Sequence, residues 1–220
     1  MKNNQQSAKI PAKYRWITAL MIVFISTVGL WFYPELPEKI PTHWNFQGKV
    51  DGWINKPWGV FLMPLVMLAT WLLMEVLSFI SPKGYKLNDF IGVVGLLMVI
   101  IVGFLLVVGI AQLAFALGYP VDFAEVITAA VGLLLIFTGN YLGKVKKNFF
   151  IGIRTPWTIA NEEVWNRTHR LAGWLFVIAG VTICIGALFG AGVQLMLPVI
   201  LVAALIPAAY SLWLYKKLEG

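Results

Sequence analysis

Hydrophobic and polar positions come in blocks along this chain. Six apolar runs are separated by polar stretches: Trp16–Tyr33, Trp58–Ile80, Phe90–Leu117, Phe123–Leu142, Leu171–Phe189 and Val193–Tyr215. A bilayer crossing takes about 20 apolar residues. In lipid the backbone must satisfy its own polar groups, so each run predicts a helix. The alternating segments of about ten residues that build a membrane barrel are absent. The expected fold is therefore all-α, a polytopic membrane protein with six transmembrane helices.

The connecting segments divide the chain further. The first run follows a basic start, as in a signal peptide, but ends in Trp31-Phe32-Tyr33 without a small-residue cleavage site, so it reads as an uncleaved anchor. Residues 34–57 hold Pro34, Pro37 and Pro41, which favour extended backbone over helix. Gln47-Gly48 and Asp51-Gly52 read as turns, as does Ser81-Pro82-Lys83-Gly84. Gly118-Tyr119-Pro120 and Gly190-Ala191-Gly192 read as tight turns, and Pro64 as a kink in the second span. A long loop, 143–170, carries a short helix over 162–170 that leads into the fifth span. The expected division is residues 1–118, three helices with an external loop, and 119–220, three helices with a cytoplasmic loop. The loop lengths have the pattern of an inverted pair of halves, but only Gly48-Lys49-Val50 and Gly143-Lys144-Val145 look alike, so no repeat is read.

Composition agrees: 60% of residues are hydrophobic and 12% charged, against roughly a quarter charged in soluble domains. The formal net charge of +7 would suit nucleic acid, but the charges sort by membrane side, so no direct nucleic-acid contact is read. Fourteen of the seventeen Lys and Arg fall in segments that share one side, and three, Lys39, Lys49 and Lys56, on the other. Cytoplasmic loops carry the excess of Lys and Arg, so both termini are expected inside. The single cysteine, Cys184, lies in an apolar run and says little about redox compartment.

Candidate chemistry is sparse. The stretch 139–174 is the polar, charged segment of an otherwise apolar chain. Gly139 and Asn140 end the fourth span. Lys144, Lys146 and Lys147 suit an anchor to anionic lipid. In Arg154-Thr155-Pro156-Trp157 the guanidinium offers a fork for phosphate or carboxylate, with Trp157 at the interface. Asn161 can cap a helix whose first turn holds Glu162 and Glu163, and Glu163 and Arg167 are spaced to pair. Trp165 and His169 share a face, with His169 a packing histidine. In the outer loop, His43, Trp44, Asn45, Gly48 and Asp51 form a compact, tryptophan-pinned surface. One His beside one Asp makes no zinc site, and no nucleophile accompanies it, so neither metal nor cofactor is expected. Glu75, deep in the second span, is a functional candidate by default; the alternatives are snorkelling or pairing with Arg154 or Arg170. Gly186-x-x-x-Gly190 and Ala204-x-x-x-Ala208 permit close helix packing.

Two stretches carry a resemblance. GNYLGKVKKNFFIGIRTPWTIANEEVWNRTHRLAGWLF, from Gly139 on, resembles the signature of the SdpI family of bacterial membrane proteins; Asn148 belongs to it. LPEKIPTHWNFQGKVDGW, followed by KPWGVFLMP, resembles the uncharacterised PTHWN-type domain often found ahead of it. The resemblance implies a multi-pass protein of the bacterial inner membrane. It implies a non-enzymatic immunity protein that confers resistance to a secreted peptide toxin and can hold a transcriptional repressor at the membrane, with lipid, toxin and repressor as partners. A small-molecule or ion-coupled transporter using Glu75 is the alternative. A membrane enzyme is disfavoured by the missing nucleophile and metal constellations.

Overall fold

A computed structural model of the chain describes residues 9–45, 48–81 and 87–219. Six of its helices are long and apolar enough to cross a membrane. Helices α1 (Ala12–Trp31), α2 (Trp58–Ile80) and α3 (Ile91–Ala116) pack together, α3 also touches α4 (Phe123–Leu142), and α6 (Glu162–Leu188) packs between α4 and α7 (Gly192–Glu219). A single turn of helix, α5 (Pro156–Ala160), lies against α6 and α7. Much of the apolar surface faces outward, with Trp31, Trp58, Leu73, Leu188 and Leu205 among the exposed side chains, as a lipid-facing surface requires.

The boundaries follow local chemistry. The expected second and fourth spans coincide with α2 and α4. The Asp122 carboxylate caps α4 by accepting from Glu125 N at 3.1 Å. Gly118 and Gly190 have positive φ in the turns that close α3 and α6, a conformation cheap only for glycine. The expected short helix over 162–170 is no separate element: Asn161 caps a helix that continues from Glu162 into the fifth span. Pro64 sits within the continuous helix α2. The turn expected at Ser81-Pro82-Lys83-Gly84 falls mostly outside the described residues.

Between α1 and α2 the chain forms an antiparallel hairpin, β1 (Lys39–Trp44) and β2 (Val50–Asn55). This refines the extended loop read from the prolines. Asp51-Gly52 is no turn: both lie in β2, where Gly52 pairs with His43 across a register shift, and a Cβ on Gly52 would come 2.9 Å from the His43 Cβ. Gly48, with φ of 72°, turns the chain, and its N–H donates to Asn45 O at 2.9 Å.

Helices α4 and α6 run antiparallel and meet backbone to backbone. A Cβ on Gly139 would lie 2.8 Å from the Gly173 carbonyl oxygen, and one on Gly173 equally near that of Gly139. Gly132 and Gly180 face each other in the same way, seven residues along each helix. Such contacts let helices pack by close van der Waals approach in lipid. Of the four-residue spacings read as packing faces, only Gly186 serves so, against Leu195 and Gly192. Gly190 lies in the following turn and Ala204 is exposed, while Ala203 and Pro207 are the buried positions of that part of α7.

Candidate functional site

The loop between α4 and α6 is an ordered structure built around three buried polar side chains. Asn148 is fully buried. Its amide donates to Lys146 O (2.8 Å) and Ile151 O (3.0 Å), and its carbonyl oxygen accepts from the Phe150 and Ile151 N–H groups, both at 2.7 Å. A loop that leaves a helix must satisfy its own backbone, and this one amide supplies four of the bonds. Trp165 and His169 are also fully buried, with rings stacked at 4.0 Å. The Trp165 indole N–H donates to Val145 O at 2.7 Å. Ile153 N–H donates to His169 Nε2 at 2.9 Å, so that nitrogen carries no proton, and Nδ1 donates to Trp165 O at 2.8 Å. His169 is thus a neutral packing histidine with both nitrogens engaged.

The next residues tie the loop to α7. Thr155 and Thr158 form a reciprocal cap on α5, with Pro156 opening its first turn. The Thr155 hydroxyl lies 3.0 Å from that of Ser211, and Asn161 both caps α6 and donates to Glu219 Oε1 at 2.9 Å. Arg154 is exposed, and its Nη1 donates to the Phe149 carbonyl, which closes the loop over one arm of the fork. Trp157 is half-buried. Glu163 and Arg167 pair as their spacing predicts, at 2.5 Å on the surface. Asn140 donates to Ile136 O, Lys144 stands 4.7 Å over the Tyr141 ring, and Lys147 is half-buried. The structure therefore joins Asn148, Trp165 and His169 in one buried network, and leaves Asn140, Lys144, Arg154, Pro156 and Arg167 on the surface around it.

At the other end of α4, about 30 Å away by helix rise, the hairpin covers a cleft of about 440 Å³. His43, Trp44, Asn45 and Asp51 form one wall; Phe123, Ile127, Val193 and Met196 supply an apolar wall from α4 and α7. His43 Nδ1 and Asp51 Oδ1 are 2.5 Å apart. Trp44 stacks on Phe123 with centroids 3.5 Å apart and meets Phe115 edge-on, which pins the hairpin to α3 and α4. Gly48 approaches the Ala124 side chain. The Trp44 Nε1 atom is buried and has no acceptor among the described residues. From behind, the buried Gln112 amide donates to Pro41 O at 2.9 Å and to Gly59 O at 3.4 Å.

Glu75 has a different partner from the arginines expected. Arg15 of α1 reaches it, Nε to Oε1, at 2.7 Å, and Trp71 Nε1 donates to the same oxygen at 3.1 Å. Arg154 is held by its own loop, and α2 makes its closest contacts with α1 and α3. Among the described residues no cluster of three or more His, Cys, Asp or Glu could hold a metal. Sequence reasoning passed over Arg15, Gln112, Gly152 and the apolar wall of the cleft; only the polarity of Gln112 within an apolar run could have flagged any of them.

Comparison with known proteins covers both ends. A sequence model of the SdpI/YfhL protein family matches residues 144–211. A second, for a domain of unknown function (DUF1648), matches residues 20–68, which contain Pro41-Thr42-His43-Trp44-Asn45. The chain is similar to the immunity protein SdpI of Bacillus subtilis (strain 168), 31% identical over 207 residues, covering 93% of this chain and 97% of that protein. No solved structure matches.

Proposed function

This chain belongs to the SdpI family, as a multi-pass protein of the bacterial cell membrane, and from that we propose that it is a non-enzymatic immunity protein that protects its bacterium from a secreted peptide toxin. The observation that carries this is the cleft under the hairpin. It combines an exposed polar His43–Asp51 pair with an apolar wall of Phe123, Ile127, Val193 and Met196. That combination suits an extended peptide, whose backbone N–H groups find an acceptor in the Asp51 carboxylate while its apolar side chains seek cover.

On this reading the hairpin lies outside and the loop 143–161 inside, as the fourteen-to-three division of Lys and Arg supports. The loop's exposed Arg154, Pro156 and Lys146 then offer a surface for a cytoplasmic repressor, and Trp157 and Lys147 lie close to lipid headgroups. The transporter alternative loses support because Glu75 is already neutralised by Arg15.

The test is survival of a toxin-sensitive strain carrying each variant at equal membrane level. Asp51→Asn keeps the shape and removes the charged acceptor, and it is expected to weaken peptide binding about ten-fold, the effect of one hydrogen bond to a charged group. Full protection by Asp51→Asn and by Met196→Glu together would exclude the cleft. Substrate flux through the parent protein in liposomes would favour transport.

A further inference from the structure

A groove of about 260 Å³ opens between α4 and α6 at the loop end. Its floor is glycine: Gly139, Gly143 and Gly173 bring no side chains into it. On its rim stand Lys144 and Arg170, both exposed, with Asn140 beside them. No carboxylate lines the groove, and among the described residues neither cation belongs to an ion pair. The cationic rim sits at the head of two apolar stripes. On α6, Arg170 is followed at helical spacing by Trp174 and Val177, then by the exposed Val181, Ile185 and Leu188. On α4, Lys144 and Asn140 are preceded by the exposed Phe137 and Leu133.

We propose that this groove holds one anionic phospholipid. The phosphate lies between the Lys144 ammonium and the Arg170 guanidinium, and the second amide hydrogen of Asn140 adds a donor. An acyl chain descends along Trp174 and Val177. The C-terminal carbonyls of α4 would oppose an anion, but the turn takes two of them: Lys144 N–H donates to Tyr141 O and Val145 N–H to Leu142 O. A soluble phosphate would use the rim alone. The exposed Trp174 and the apolar stripes below it match a headgroup with its tail attached, and basic pockets between membrane helices take anionic headgroups.

The test uses the full chain in detergent, titrated with phosphatidylglycerol, phosphatidylcholine or inorganic phosphate. The readouts are melting temperature and lipid stoichiometry by native mass spectrometry. Phosphatidylglycerol is expected to raise the melting temperature and to saturate at one molecule per chain. Lys144→Gln and Arg170→Gln should each weaken it about five-fold, the effect of one charge near an anionic headgroup, while Lys146→Gln should not. Gly143 has ordinary helical φ, and a Cβ there would lie 3.7 Å from the Arg170 Cα. Gly143→Leu should therefore fill the groove and abolish retention with both charges intact. Parental retention by Gly143→Leu or by the doubly neutralised variant would overturn the site. Equal protection by phosphatidylcholine would show that charge is not read. Equal protection by inorganic phosphate would replace the lipid with a free anion.

Discussion

Gly152 sits directly against His169: its φ is 111°, and a Cβ on it would overlap the imidazole Nε2. The glycine lets the backbone pass close enough for the next amide, Ile153 N–H, to reach that nitrogen. Gly152→Ala combines a left-handed backbone with a steric collision, and strain of this kind costs about 1–3 kcal/mol. Its melting temperature in detergent is expected to fall clearly below the parent's, and an unchanged value would mean that the loop does not depend on this contact.

The histidine itself gives a cleaner test. His169→Phe keeps the stack on Trp165 but strands the partly buried Ile153 N–H, and an unsatisfied donor costs about 1–3 kcal/mol when fully buried. His169→Phe should lower stability without changing affinity for divalent metals. Zinc binding lost together with the histidine would reverse the assignment.

Arg15 and Glu75 form a link between α1 and α2. Because Arg15 is 45% exposed, its contribution is screened to about 1 kcal/mol or less. Arg15→Gln should destabilise modestly, and the exchange Arg15→Glu with Glu75→Arg should recover part of the loss. Protection against toxin should survive Glu75→Gln at equal membrane level. Abolished protection would return Glu75 to a functional role.

The backbone contact between α4 and α6 predicts a sharp contrast among glycines. Gly173→Ala would place a methyl 2.8 Å from the Gly139 carbonyl oxygen, and overpacking of this kind costs about 1–3 kcal/mol. Gly92, in α3, has nothing within 4 Å of the same position, so Gly92→Ala should be neutral or slightly stabilising. Equal melting temperatures for the two variants would contradict the close approach.

Topology is tested by single cysteines in a Cys184→Ala background. Lys49→Cys in the hairpin turn and Lys146→Cys in the loop replace exposed side chains. An impermeant thiol reagent on intact cells should label the first and spare the second; the reverse pattern would invert the proposed orientation.

The spans were legible because their signal is length and apolarity, which lipid enforces on every turn; α2 and α4 could be read to the residue. The hairpin was not, because Pro41, Gly48 and Gly52 interrupt any two-residue alternation and the register shifts beside His43. The helix contact was missed for a related reason. Four-residue spacing was the pattern sought, whereas Gly132 and Gly139 on one helix meet Gly180 and Gly173 on the other at intervals of seven. In the loop, the Asn161 cap and the Glu163–Arg167 pair are local and could be read from spacing. The spacing of Trp165 and His169 put them on one face, but the network they form with Asn148 turns on tertiary closure, and Asn148 stood out only through resemblance. Glu75 was marked by its cost in lipid, but its partner lies sixty residues earlier and carries no local signature.

The seat of the hairpin has a consequence in time. Pro41 is held by Gln112, 71 positions later, and Trp44 rests on Phe115 and on Phe123, later still. During synthesis the hairpin is complete well before any of these residues exists. At 5–20 residues per second, the wait from the end of the hairpin at Asn55 to Gln112 alone is roughly 3–11 s. For that interval the nascent chain presents the hairpin without its support, and the cleft is complete only after the beginning of the sixth span, with Val193 and Met196, has been made.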